Sequence, residues 1–406
     1  MKHLVIVTFL FILLGSMSAQ KNRVLADQAY DLMHYSEAIE LYESFYKSSG
    51  DSSALQKIGV CYVKNKNFKK AQQYFGKCLD HIKSNPVLYF KYAELLFIQG
   101  LRDSSASVLQ QYVNLNGLSA DTDKLTSSIA AYDSLMMTKD EYEINPVSFN
   151  SEEGDFSPVY YGNQLLFSSQ RSGDNDAWTG EHFSGLYMTE KDGSDIKQVP
   201  IEFAQNDHCG SASFLDENTI YFTSSSKVKG KYDEYNLQIS VAGKTNDGKW
   251  VSSGLFPYCV PYYNLAYPAL SPDGKTMVFC SDKPGGSGGF DLYLTEHKDG
   301  RWNIPIHLQE INTKGDEVFP FIGPNGILYF ASDGYAGLGG LDLYKVNLNL
   351  YKEQAPINLG SPLNSSYDDF GLISRDQLQS GYVSSNRENE NGIDRIFFFN
   401  KKISNQ

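Results

Sequence analysis

The stretch "MVFCSDKPGGSGGFDLY", Met277 to Tyr293, has a sister 51 residues further on: "LYFASDGYAGLGGLDLY", Leu328 to Tyr344. The first contains Gly285-Gly286-Ser287-Gly288-Gly289, which read alone is the G-x-S-x-G of a serine hydrolase. The sister decides otherwise. Leu338 stands where Ser287 stands, while the glycines at 288, 289, 339 and 340 and the ending Asp-Leu-Tyr persist. A nucleophile does not occupy a slot that its repeat fills with leucine, and neither copy has the strand-turn-helix setting of a nucleophile elbow or phosphate loop. The glycines are expected to let a wide strand-to-strand connection take positive φ values. Asp291 and Asp342 are expected to bond backbone N–H groups in that loop and pin its corner. Calcium is the sharper reading of these residues, but the carboxylates are too sparse for an oxygen cage, and no metal or cofactor is expected.

Working outward, the same skeleton occurs five times after residue 150. Its second strands are "LLFSSQ" (165–170), "IYFTSS" (220–225), "MVFCSD" (277–282), "LYFASD" (328–333) and "GYVSSN" (381–386), with Phe167, Phe222, Phe279, Phe330 and Val383 spaced 55, 57, 51 and 53 apart. A first strand precedes each. Pro272-Asp273-Gly274 and Pro324-Asn325-Gly326 supply tight turns between them. A second turn recurs at Asp192-Gly193, Asp247-Gly248 and Asp299-Gly300, and Trp250 and Trp302 follow the last two at one offset. Four strands per unit and five units predict a five-bladed β-propeller over residues 142–400. The fifth unit runs out after three strands near "DRIFFFN", so "YEINPVSFN" (142–150) is expected to complete it, closing the ring and removing exposed edges. Residues 401–406 read as a tail.

Ahead of this the periodicity is helical, with a period near 34 over residues 22–116. Ala38, Ala71 and Ser105 lie 33 and 34 apart; Ala26, Gly59 and Ala93 are the small residues where helices approach, and Tyr42, Phe75 and Leu109 fill the groove to the next unit. Three such units resemble the tetratricopeptide repeat, an α-solenoid. Cys78 falls in a slot that packs the second helix, which argues for a structural thiol. Within residues 117–141 a further helix, about Ala120 to Met137, is expected to cap the array. The fold class is therefore multidomain α + β. In tetratricopeptide arrays the first helices line the concave groove, which nominates Gln56, Lys64, Phe90 and Glu94 as partner-binding residues.

The chain opens "MKHLVIVTFLFILLGSMSAQ": Lys2 and His3, eleven apolar residues, then small ones, which reads as a signal peptide over 1–19. No later apolar run reaches the ~18 residues of a membrane span, and no cysteine sits near the cleavage region, so no direct membrane anchor is expected. The net charge of −13 argues against a nucleic-acid partner. Cys61, Cys78, Cys209, Cys259 and Cys280 have no metal-ligand spacing and read mostly as buried small residues.

Other catalytic patterns fail too. His182, His208, His297 and His307 are scattered among blades. Glu152, Glu153 and Asp155 of "NSEEGDF" could suggest glycoside hydrolysis, but "NTKGDEVF" (312–319) and "NSSYDDF" (364–370) show a linker recurring with the repeat.

With these motifs quoted, the third and fourth blades look like the TolB-type (WD-like) propeller repeats of exported Bacteroidetes proteins. Joined to a tetratricopeptide array behind a signal peptide, they resemble PorE-like, OmpA-family-associated periplasmic proteins over essentially the whole mature chain. Gly185 departs from the expected corner Asp in the first blade. The resemblance implies a periplasmic scaffold or accessory protein of type IX secretion or gliding machinery, contacting an envelope protein such as an outer-membrane partner of the PorP/SprF type. Such relatives usually continue into a peptidoglycan-binding domain; here the sequence stops at Gln406, and peptidoglycan binding is not expected. The alternative is a glycan- or peptide-binding, or hydrolytic, propeller acting at its central funnel.

Overall fold

The computed structural model describes residues 20–65, 67–81, 86–118, 120–174, 182–201, 208–231, 234–387 and 392–402. The expected signal peptide lies outside them. The described chain forms two compact units, one up to Asp123 and one from Lys124 through the sheets.

The first unit is three antiparallel helix pairs: α1 (20–31) with α2 (Tyr35–Ser49), α3 (Ser53–Lys64) with α4 (Phe68–His81), and α5 (Pro86–Ile98) with α6 (Arg102–Asn116). Apolar side chains at helical spacing set each contact face. Tyr35, Ala38, Ile39, Tyr42 and Phe45 of α2 are buried, and so are Phe68, Ala71, Phe75 and Cys78 of α4. At Gly59 a Cβ would lie 2.8 Å from the Phe75 ring, so only glycine lets α3 and α4 close. Ser105, in the alanine slot of the third pair, is fully buried and donates its hydroxyl to the Ala93 carbonyl at 2.7 Å. α2 stops at Gly50, whose left-handed backbone (φ 69°) turns its N–H onto the Tyr46 carbonyl.

A seventh helix, α7 (Ala120–Leu135), stands where a further helix was expected. The second unit begins inside it, at Lys124, and from there it is tied to the fourth blade. The Gly337 N–H donates to Ser128 Oγ (3.1 Å), the Ser361 N–H to the Leu135 carbonyl (2.8 Å), and Thr138 Oγ1 to the Ser361 carbonyl (2.6 Å). The stretch predicted this helix well enough, but not its destination, because its bonds run to residues some 200 positions away, an interval that local pattern does not span.

The rest is a five-bladed β-propeller. β1 (Tyr142–Pro146) leads into blade 1: β2 (Asp155–Tyr161), β3 (Gln164–Ser169), β4 (Gly185–Glu190) and β5 (Lys197–Gln198). Blade 2 is β6 (Cys209–Asp216), β7 (Thr219–Ser225), β8 (Leu237–Lys244) and β9 (Trp250–Leu255). Blade 3 is β10 (Leu265–Leu270), β11 (Thr276–Ser281), β12 (Asp291–Lys298) and an outer edge split into β13 (Arg301–Trp302) and β14 (Ile306–His307). Blade 4 is β15 (Glu317–Ile322), β16 (Ile327–Ser332), β17 (Asp342–Asn347) and β18 (Ile357–Asn358). Blade 5 has β19 (Asp369–Ile373), β20 (Ser380–Ser385) and β21 (Arg395–Lys401), and its fourth strand is β1. β1 runs antiparallel to β21, from Tyr142 opposite Lys401 to Pro146 opposite Phe397. Asn150 fastens the seam by accepting from the Ile396 N–H (2.9 Å) and donating to its carbonyl (2.8 Å).

Second strands carry the core. Leu165, Leu166, Phe167, Phe222, Met277, Val278, Phe279, Leu328, Phe330 and Val383 are buried, alternate ones packing toward opposite neighbouring blades. Two-sided burial is why these strands read as short apolar runs rather than alternating ones.

Candidate functional site

Every innermost strand has a bulge at the same place, between Phe156 and Val159, Gly210 and Ala212, Ala266 and Ala269, Val318 and Phe321, and Phe370 and Ile373. The residue there has a left-handed backbone: Ser157 (φ 50°), Ser211 (33°), Tyr267 (56°), Phe319 (50°) and Gly371 (57°). None is β-branched, as this conformation requires. A side chain of the preceding blade receives the freed N–H. Ser384 accepts from Ser157 (2.9 Å), Ser168 from Ser211 (3.1 Å) and Thr223 from Tyr267 (2.8 Å), and the Cys280 sulfur receives the Phe319 N–H. These acceptors are the first residues after the aromatic or valine of each second strand. In the fourth blade that place holds Ala331, which has no hydroxyl to offer.

The bulges line a central cavity of ≈ 440 Å³. Two of the five bulge residues are aromatic and three are small, and the Tyr267 and Phe319 rings lie 4.1 Å apart between centroids, tilted by 31°. Serines, prolines, aliphatic groups, Tyr160, Phe214 and Phe321 make most of the remaining wall. Arg375 is the charged residue of this lining; its guanidinium sits 4.2 Å over the Tyr160 ring and donates to the Gly162 carbonyl at 3.0 Å.

The carboxylates that suggested glycoside chemistry lie elsewhere, at the blade corners. Asp155 is fully buried, accepts from the Ser151 hydroxyl at 2.8 Å and pairs with Arg171 at 2.7 Å; Arg171 also donates to the Phe149 carbonyl. Blade 5 repeats this with Asp369 and Arg387, the arginine bonding the Pro362 and Leu363 carbonyls as well. In blade 4 the residue is Glu317, held by the Thr313 N–H (2.7 Å) and the Ser332 hydroxyl (2.7 Å); burial pushes its carboxyl up from the usual range. These groups hold the linkers, as do Asn150, Asn312 and Asn364, each clasping both backbone groups of a residue on the blade before it.

Ser287 lies in the loop between β11 and β12. Its N–H donates to Asp291 (2.7 Å) and its carbonyl accepts from Lys314 Nζ (3.0 Å). Asp291 also receives the Gly288 N–H at 3.3 Å, and His307 Nε2 lies 3.3 Å away. Asp342 takes the Leu338 N–H at 2.5 Å and is buried; desolvation first, then the charge of Asp369, push its carboxyl up to about 8. The expectation for the glycines needs correction. Gly285 alone among those of the first loop has φ in the positive range, +94°. Gly288 and Gly339 are needed because the next linker crosses there. A Cβ would lie 2.5 Å from the Gly315 carbonyl oxygen or 2.2 Å from that of Tyr367. Sequence showed where the glycines were, not which chain came close. Among the described residues no three His, Cys, Asp or Glu side chains come together as a metal group.

The groove nominees separate. Lys64 is exposed, and Gln56 and Glu94 are half-buried, Glu94 pairing with Lys91 at 2.9 Å. Phe90 is only 8% exposed and packs on Tyr112, 5.4 Å between centroids, so it belongs to the interior of the third pair rather than to an open groove.

An α-solenoid of tetratricopeptide type and a five-bladed propeller thus make up this chain. No family model and no curated protein matches it. Among solved structures it is similar to the Arabidopsis OM64 TPR domain (13% identity, 29% of this chain and 97% of that one, TM-score 0.27). The second TPR domain of human RPAP3, solved with an HSP70 peptide, is similar at 14% identity over 29% and 98%, TM-score 0.27. The α-L-arabinofuranosidase PaAbf62A of Podospora anserina is similar at 9% identity over 66% and 99%, TM-score 0.38. At such identities and scores these likenesses carry no functional weight.

Proposed function

We propose that this chain is a non-catalytic periplasmic scaffold that binds another cell-envelope protein, in secretion or gliding machinery of the type IX kind, with an outer-membrane protein of the PorP/SprF type as the partner. One observation carries the non-catalytic part of this reading: the buried carboxylates clamp linkers at blade corners, while the central cavity has a wall of serines, prolines and aromatics with Arg375. Converging acids facing a shared cavity are what hydrolysis of a glycoside would need. Repeats that present faces rather than chemistry support the rest.

The test is crosslinking in cells, with a photoreactive residue placed at Gln56, Lys64 or Glu94 and on the propeller rim. Reproducible links to one outer-membrane or secretion component are the expected result. Links only to the chain itself and to bulk periplasmic proteins sink the scaffold reading. A second reading, peptide or glycan binding at the funnel, draws on the cavity and on Arg375 over Tyr160. It predicts that Arg375→Ala abolishes binding of a selected glycan or peptide, read by calorimetry.

A further inference from the structure

Blade 3 departs from the corner pattern of blades 1, 4 and 5. Strand register equates Asp155, Glu317 and Asp369, each opposite a serine of the second strand, with Leu265, which lies opposite Ser281. The carboxylate of the corners of blades 1, 4 and 5 is missing here, as it is in blade 2, where Cys209 lies opposite Ser224. Two residues past the serine, where blades 1 and 5 place Arg171 and Arg387 on that carboxylate, stands Lys283. It is exposed and has no carboxylate partner among the described residues. The linker has changed with it. Where those of blades 1, 4 and 5 read "NSEEGD", "NTKGDE" and "NSSYDD", this one reads "VPYYNL", Val260 to Leu265.

A cleft of ≈ 260 Å³ occupies the position, with Lys283 and Ser281 on one side, Tyr258, Tyr263 and Tyr293 as aromatic wall, and Pro257 and Pro305 at its edges. The walls are braced: Tyr258 donates to the Trp302 carbonyl at 3.1 Å, and Tyr293 stacks on Phe279 at 5.9 Å. Ile304 of this lining is 80% exposed, and Tyr262, next to Tyr263 in the chain, is 69% exposed. Isolated exposed apolar residues need no explanation, but two at a braced aromatic cleft with an unpaired cation do.

We propose that this cleft binds an extended segment of a protein partner that carries a carboxylate beside a proline or aromatic residue. The partner's carboxylate meets Lys283, in the place that Asp155 and Asp369 fill in blades 1 and 5, and its flat side chain enters between the tyrosines. This rests on the protein-binding reading above and names a surface and a chemistry for it. Charge complementarity favours this occupant: an acid here completes a pattern that the fold already satisfies with its own residues twice.

The experiment selects a random displayed dodecapeptide library on the full chain and measures the enriched peptides by fluorescence anisotropy. The expected peptides hold Asp or Glu next to Pro, Tyr, Phe or Trp. Lys283→Glu and Ile304→Ser each weaken them about tenfold or more, Lys283→Arg weakens them less than about threefold, and all three keep the wild-type melting temperature. Basic or uncharged consensus peptides, or binding indifferent to Lys283→Glu, overturn the proposal. If such peptides instead lose affinity on Lys64→Glu or Gln56→Ala, the cleft is wrong and protein binding stands. No enrichment at all counts against both. A dimer by light scattering that Ile304→Ser dissociates assigns the face to a second copy of the chain, which also overturns it.

Discussion

Asp342 shows how one buried residue makes stability depend on pH. Unfolded, it titrates near 3.8; in the fold, burial and then Asp369 push it up to about 8. Between those values the unfolded chain gives up a proton that the folded chain keeps. Its contribution to stability is therefore complete below pH 3.8, declines as pH rises toward 8, and is flat above. Asp342→Asn still accepts the Leu338 N–H and loses that slope. Melting curves of variant and wild type are expected to converge near pH 4, with the variant higher by about 4 °C or more at pH 8.5. Equal midpoints at both pH values refute this. The bulge acceptors give a second prediction. Ser168→Ala strips the Ser211 N–H of its partner and is expected to cost about 1–2 kcal/mol in urea unfolding. The serine was visible in the sequence as part of a second strand that recurs five times, yet its purpose was not, because the N–H it serves lies 43 residues away in another blade.

At the level of elements, hydrophobic spacing told most of the story. Ala26, Gly59 and Ala93 mark helix contacts at one interval, and five strands with an aromatic or valine at one position mark five blades, because each repeat must bury the same face against its neighbour. What spacing cannot convey is which element a face meets. α7 is bonded to blade 4, and Phe90 is interior although its position is that of a groove residue. The blade 3 corner was not read from the sequence, since the missing carboxylate becomes apparent only once register aligns Leu265 with Glu317. The seam between β1 and β21 is the element most open to test. Changing both Glu143 and Ile144 to proline must remove a ladder hydrogen bond, at a cost of about 1–3 kcal/mol. The variant is expected to melt lower and to associate through the freed strand, seen as a shift in size-exclusion elution. An unaltered midpoint would mean the seam contributes nothing to stability.

For the whole molecule, the thiols are informative. All five cysteines are free, and burial raises those of Cys61 to about 12 and of Cys78 and Cys259 to about 11. A reductant should leave the melting temperature unchanged, and a thiol reagent at pH 8 should react with five groups only after denaturation. A reductant-sensitive midpoint contradicts this. Ring closure also fixes the order in which the molecule can be finished. Asn150 and Ile396 clasp across 246 positions, so the strand made first waits for the one made last. A ribosome releases β1 long before its partner exists, and a polypeptide cut short anywhere before β21 leaves the ring open with a bare strand edge. Closure therefore works as a proofreading step: only full-length chains hide that edge, and incomplete ones keep on display the feature that proteases and chaperones recognise.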